Sequence, residues 1–305
     1  MVTGMSILST CSAATIRYFK LVRTELDRKL LLKWFMTLQQ VIEDVWVRRE
    51  LLGESEYENA IHDVIDKLDN GVLRVATSNA GGWDFHVWIR KALVLYLATR
   101  KMETVVVGPF EFNDKMALKS NYKKFGARVV PHAVAHYGAF VNRGAVLMPS
   151  HVGIGAYIDQ GTTVDTWATV GVCAQIGKNV HLSGGVAIGG ILDPIEIPPA
   201  IIEDNAFIGS RCIIGEGVRI GREAVLGASV VLTKNSKIID VTREEAVEHE
   251  GYVPERSVVI PGSFNKIIRG LEFGVPCNLI IGKRKESTDK KTSLNDALHA
   301  NEVPI

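Results

Sequence analysis

Residues 151–190 read HVGIGAYIDQGTTVDTWATVGVCAQIGKNVHLSGGVAIGG, and a period of six runs through them. Aliphatic residues fall at Val152, Ile158, Val164, Val170, Ile176, Leu182 and Ile188. Extended toward the N-terminus, the register takes in Phe140 and Val146. After a break it resumes at Ile202, Ile208, Ile214, Ile220, Leu226 and Leu232. Two positions before most of these stands a small or β-branched residue, such as Ala156, Thr162, Ala168, Ala174, Ala206, Cys212 or Ala224. One position after, Gly or a small polar residue is common, as at Gly153, Gly171, Gly177, Ser183, Gly209 and Gly221. A repeat this regular is read before anything else, because it decides the architecture. Each hexad is one short strand and a turn, and three hexads close a triangular coil. The aliphatic residue points inward, the small residue fits the confined interior, and the glycine permits the corner's backbone angles. Five coils at a spacing of about 4.8 Å predict a left-handed parallel β-helix roughly 24 Å tall.

Composition agrees with a narrow prism. The 305 residues include 28 glycines and 47% apolar residues but only 7% aromatics, and a large ring fits poorly inside such a coil. A balance of 35 Lys+Arg against 34 Asp+Glu leaves no electrostatic footprint for nucleic acid. No stretch reaches the roughly 18 apolar residues of a membrane span. Cys11, Cys173, Cys212 and Cys277 lack paired or zinc-type spacing, which points to reduced thiols and a cytoplasmic location.

Outside the repeat the chain divides into further parts. Residues 1–37 have no acidic residue before Glu25 and carry Arg17, Lys20 and Arg23; they resemble a weak transit peptide, the alternatives being an upstream start codon or an added helix, and are given no function. Residues 38–130 read as an α-rich domain. Leu38, Val41, Ile42, Val45 and Trp46 share a helical face, as do Ile61, Val64, Ile65 and Leu68, the latter followed by a C-cap signal at Asn70–Gly71. GVLRVA (71–76) reads as a short strand, and residues 81–100 as a turn into a helix. The β-helix is placed at 131–235, with GGILDPIEIPPAI (189–201) leaving it as a loop. Residues 236–305 form a small C-terminal β/α segment with an amphipathic stretch, SLNDALHA (293–300).

Hexapeptide prisms have no catalytic apparatus of their own, so function lies in corner side chains and in grooves. His132, His136, His151 and His181 do not match the 18-residue coil at ligand spacing, so no metal site is expected. No nucleophile elbow and no phosphate loop ahead of the prism is present. Asp159, Asp165, Glu203 and Asp204 sit at or just past corners, where acidic residues also serve as turn formers. Asp165 differs, because VDTWATVG (164–171) places it beside Trp167, a ring too large for the interior. A carboxylate beside an aromatic in a groove suits binding and deprotonating an amine.

The run from Met148 to Pro194, then IIEDNAFIGSR (201–211), resembles the tetrahydrodipicolinate N-succinyltransferase family. LQQVIEDVWVRR, LDNGVLRVA, WIRKALVL, FGARVVP and KTSLNDAL extend the likeness over about residues 38–298. The resemblance implies transfer of a succinyl group from succinyl-CoA, a co-substrate and not a resident cofactor, to the amine of ring-opened tetrahydrodipicolinate in diaminopimelate and lysine biosynthesis. It implies a homotrimer with active sites between subunits. The family's substrate-binding Arg falls on Arg128, suited to gripping a carboxylate, and its key Asp on Asp165. Arg211 is retained, and Trp167 joins the substrate side. CoA is expected near Gly184, Gly185, Gly189 and Gly190, with Lys266, Arg269 and the KRK cluster at 283–285 as candidates for its phosphates. One position departs from the family: where it has R-S-E, this chain has Arg211, Cys212 and Ile213, so the second active-site carboxylate is replaced by an aliphatic side chain. Val172 also replaces a family Ser. Either Asp165 suffices, or Glu216 or Glu203 substitutes, or the chain serves another amine acceptor or a non-catalytic scaffold.

Overall fold

The computed structural model describes residues 37–284. Each hexad contributes a two-residue strand, and the strands stack in parallel ladders on the three faces of a β-helix. The first face carries Phe140–Val141, Tyr157–Ile158, Gln175–Ile176, Ile201–Ile202, Arg219–Ile220 and Tyr252–Val253. The second carries Arg128–Val129, Val146–Leu147, Thr163–Val164, His181–Leu182, Phe207–Ile208 and Val225–Leu226. The third carries Val134–Ala135, His151–Val152, Thr169–Val170, Ala187–Ile188, Ile213–Ile214 and Val231–Leu232. The second residue of each pair from Val141 onward points inward, and Ile158, Val164, Val170, Ile176 and Leu182 are fully buried. The first and third faces have six strands where the repeat alone predicts five coils. The additional strand is Tyr252–Val253 on the first face and Val134–Ala135 on the third, both outside the fifteen positions of the repeat.

Two expectations are corrected at the N-terminal end of the prism. Ile158 pairs with Val141 and Val164 with Leu147, so Val141 and Leu147, not Phe140 and Val146, are the inward residues. The register slips by one between Leu147 and Val152, where Pro149 lies in the corner. Phe140 instead turns outward, its ring against Phe125 and Tyr157.

The glycines after the strands also serve a different purpose from the one expected. The left-handed residue of each turn lies three before the inward one, at Gly155, Gly161, Trp167, Cys173, Asn179 and Gly185. The glycine after the strand answers to clearance between coils. A Cβ on Gly171 would lie 2.4 Å from the backbone nitrogen of Gly190, and one on Gly209 2.7 Å from that of Ala228.

The N-terminal domain begins with helix α1 (Leu38–Val47), whose first turn is closed by a capping box: Gln40 N–H donates to Thr37 Oγ1 (3.3 Å) and Thr37 N–H to Gln40 Oε1 (2.7 Å). After a 3₁₀ turn (Arg49–Gly53), α2 (Ser55–Asp69) buries Ile61, Val64, Ile65 and Leu68 and stops at Asn70, with Gly71 at φ +73°. GVLRVA is not a strand. The N–H groups of Val72 and Leu73 both donate to Lys67 O (2.8 and 3.1 Å) and wrap the chain around the helix end. Pairing starts instead at Ala76, in a hairpin of β1 (Ala76–Asn79) and β2 (Gly82–Phe85) where a plain turn was expected. Helix α3 (Val87–Thr99) follows. A second unanticipated hairpin, β3 (Glu103–Val107) and β4 (Phe110–Asp114), is exposed along its length.

This domain covers the first face. The Arg74 guanidinium sits 3.7 Å over the Tyr157 ring and donates to Gln175 Oε1 (3.1 Å); burial lowers its pKa. Lys119, its side chain fully buried, pairs with Asp69 at 2.8 Å, and burial holds its pKa below the usual lysine range despite that partner. Among the described residues, the second and third faces carry no such cover beyond their ends.

The chain returns to the prism at Tyr252–Val253, on the first face. Val258 and Val259 pair with Val225 and Leu226 as one more rung of the second face. The strand then runs straight past the corner into a long hairpin, Ser257–Ile268 with Leu271–Lys283. The amphipathic stretch at 293–300 and residues 1–36 lie outside the described residues. Among those described, no helix is long and apolar enough to cross a membrane.

Candidate functional site

The corner between the second and third faces is where the sequence candidates meet. Its left-handed position is filled in successive coils by Trp167, Gly185, Arg211 and Ser229, with φ between +59° and +70°. Each is tied to the coil before it: Trp167 N–H donates to Pro149 O (2.6 Å), Gly185 to Thr166 O (2.9 Å), Arg211 to Gly184 O (3.0 Å) and Ser229 to Ser210 O (3.0 Å). A Cβ on Gly185 would lie 3.4 Å from Arg211 Cγ, so the Arg211 stem lies over that glycine. Left-handed backbone costs a non-glycine residue about 1 kcal/mol, and Trp167 bears that cost with its ring 76% exposed. Asp165 stands at the start of the same turn. Its Oδ1 accepts from Thr166 N–H (2.7 Å) and Thr166 Oγ1 (3.3 Å), which fixes the side chain's direction. Among the described residues its second oxygen takes no hydrogen bond.

The remaining candidates are spread along this corner and beyond it. Arg128 lies exposed on the first rung of the second face, two rungs from Thr163 and so about 10 Å along the prism. Gly184 and Gly185 belong to the corner itself. Gly189 and Gly190 lie across the third face at its far edge, where a Cβ on Gly190 would lie 2.0 Å from Val172 N, so they pack coil on coil. Lys266 and Arg269 are carried by the exposed end of the long hairpin, with Arg269 and Gly270 in its left-handed turn. That hairpin leaves the prism at this same corner. Beneath its base, one coil past Arg211, a cavity of about 200 Å³ is lined by Ser229, Val231, Pro261, Gly262, Pro276 and Cys277 among others. The sequence did not show that the hairpin overhangs the corner, because strand length alone does not say that a strand continues straight where its predecessors turn.

The other corner carboxylates are occupied by structure. Glu203 accepts from Trp83 Nε1 (3.1 Å), Arg219 Nε (2.7 Å) and Arg222 N–H (3.1 Å). Asp159 accepts from Asn142 Nδ2 and Gln160 N–H, both at 2.7 Å, and Asp204 from Lys178 N–H (2.8 Å). Arg284 of the KRK cluster donates to Asn205 O (3.2 Å) at another corner, and residue 285 lies outside the described residues. His181 stacks on Phe207 and His136 meets His151 edge-on, and burial lowers the His136 pKa. Burial pushes the Cys173 thiol up to about 12 and the Cys212 thiol up to about 11, so neither is a thiolate nucleophile at neutral pH.

Comparison with known proteins gives the corner its context. A family model described as tetrahydrodipicolinate N-succinyltransferase N-terminal matches residues 37–99, and one described as hexapeptide repeat of succinyl-transferase matches residues 199–234. The 2,3,4,5-tetrahydropyridine-2,6-dicarboxylate N-succinyltransferase of Bordetella avium is 45% identical over 275 residues, covering 87% of this chain and 99% of that protein. The chain belongs to this N-succinyltransferase family. The enzyme of the same name from Acinetobacter baylyi is 44% identical over 252 residues, covering 81% of this chain and 91% of its own. Ile213 is the position that the sequence reading set against the succinyltransferase family's pattern. Its side chain faces outward on the third face, 48% exposed, in a column with Thr169, Ala187 and Val231. Of the two carboxylates that the sequence offered in its place, Glu203 is held by Arg219 and Trp83. Glu216 lies against Gly189 at the far edge of the third face.

Proposed function

We propose that the chain transfers the succinyl group of succinyl-CoA to the amine of ring-opened tetrahydrodipicolinate, at the corner of Asp165, Trp167, Gly185 and Arg211. The observation that carries this reading is the corner column: a carboxylate with one oxygen fixed and one open beside an exposed ring in one coil, and an arginine two coils on, with Gly185 between them. Asp165 holds the acceptor amine and takes its proton as nitrogen attacks the thioester carbonyl. The C–N bond forms, the tetrahedral intermediate collapses, the C–S bond breaks, and the proton passes on to the departing CoA sulfur. Arg211 and Arg128 are placed to bind carboxylates of donor and acceptor. A backbone N–H at the corner is proposed to stabilise the developing oxyanion.

A prism corner is convex and cannot enclose a substrate. The opposite wall therefore comes from a second copy of the chain, and the exposed third face, with Ala187, Ile213 and Val231, is the surface that fits that role. The homotrimer that the family resemblance implies, with active sites between subunits, would supply that wall. CoA then runs along the groove toward the long hairpin, with Lys266 and Arg269 near its phosphates. The test follows release of CoA thiol from succinyl-CoA with tetrahydrodipicolinate or 2-aminopimelate, alongside light scattering for the trimer. Release with one of these acceptors is the expected result; no release with either refutes the assignment.

A further inference from the structure

We infer that Arg90 is a positioning residue: it holds the excursion at 189–200 against the edge of the third face and thereby sets the affinity for the acyl-CoA donor. The inference rests on the donor lying along that face. Arg90, on α3, is 3% exposed. Its guanidinium donates to the backbone oxygens of Ile197 and Ile191, and to that of Pro194 at 3.3 Å, while its Nε has no partner. Three carbonyls of one loop thus converge on a single planar cation. Ile195 is buried and Leu192 packs against the N-terminal domain, but between residues 190 and 199 the excursion belongs to no ladder, and Pro194, Pro198 and Pro199 donate no N–H.

The energetics argue against a purely packing role. Arg90 is buried against carbonyls and has no carboxylate partner among the described residues, an arrangement that an apolar side chain of similar volume would make cheaper. What the guanidinium supplies is a fixed loop shape. The excursion starts at Gly189, directly after Ala187–Ile188, and so borders the third face opposite the corner of Trp167 and Arg211. Release of the loop would open that side of the groove without touching Asp165.

The experiment uses the full chain with Arg90→Met and Arg90→Lys. Hydrogen exchange of the amides at 190–197 is measured beside steady-state kinetics. Arg90→Met is expected to speed that exchange at least about tenfold and to raise KM for succinyl-CoA about tenfold. The kcat should change by less than about threefold and KM for the amine should hold, with Arg90→Lys falling between. Unchanged exchange overturns the anchoring role. Faster exchange with an unchanged donor KM overturns the link to the donor. If Arg90→Met does not fold, Arg90→Gln, which is shorter but keeps a polar N–H donor, carries both measurements. A failure of the donor reading shows separately, as a wild-type chain that binds no succinyl-CoA in calorimetry whatever the exchange does.

Discussion

The first and third faces of the prism are written in the same repeat and used in opposite ways. Their inward residues are interchangeable: Val141, Ile158, Ile176 and Ile202 on one, Val152, Val170, Ile188 and Ile214 on the other, all 3% exposed or less. Their outward residues are not. On the first face Phe140, Tyr157, Gln175 and Ile201 lie beneath the N-terminal domain, whereas on the third His151, Thr169, Ile213 and Val231 meet solvent. The period of six specifies the inward half of each strand and leaves the outward half free. Burial uses that freedom on the first face, and in the proposed site a binding groove uses it on the third.

The comparison breaks most visibly inside the prism. Leu182→Ala removes a fully buried side chain from a coil with no room to collapse, and should lower unfolding free energy by about 2–5 kcal/mol in denaturant titration. Val231→Ala, on the open face at 47% exposure, should stay within about 0.5 kcal/mol. Similar losses from both would mean that the third face is as tightly packed as the interior.

Much of this was legible in the sequence, and the residues explain why. Ile158, Ala174 and Gly171 each answer to a steric demand that recurs every coil, so their pattern is self-reporting. Phe140 and Val146 misled because a slip of one residue at Pro149 leaves an apolar residue at either candidate position. Val72 and Leu73 have strand-like side chains, but their N–H groups close the end of α2, a competition that propensity does not reveal. At the site, Asp165 and Trp167 stood out because neither suits the position the repeat assigns it. Arg90 did not stand out, since its partners are backbone carbonyls about a hundred residues away in sequence and carry no side-chain signature.

The corner sharpens the comparison in the other currency, turnover. Asp165→Asn keeps shape and can still accept from Thr166, so stability should move by no more than about 0.5 kcal/mol. An amide takes no proton from the attacking amine, and kcat should fall about tenfold to hundredfold in the thiol-release assay. Unchanged turnover would assign Asp165 to the turn alone, as Asp159 already is.

The smallest expected effect concerns Ile213. The side chain is 48% exposed, so Ile213→Glu places a solvated carboxylate on the third face with no buried charge and a stability change within about 0.5 kcal/mol. In a single chain this position lies two coils from Asp165, about 10 Å along the prism, too far for the two groups to share a proton. Across a groove between two copies, that distance no longer applies. If the third face of one copy is the wall opposite the corner of the next, Ile213→Glu should raise kcat severalfold, by up to about tenfold. It should do so only while Asp165 is present, since the new carboxylate lacks the Thr166 contacts that direct the first. A rise in kcat that is lost with Asp165→Asn would join the two faces in one site. A rise that survives Asp165→Asn would make the new carboxylate the base. No rise at all would mean that the column of Ala187, Ile213 and Val231 is apolar because it packs against the neighbouring copy or the donor, and that one carboxylate carries the proton unaided.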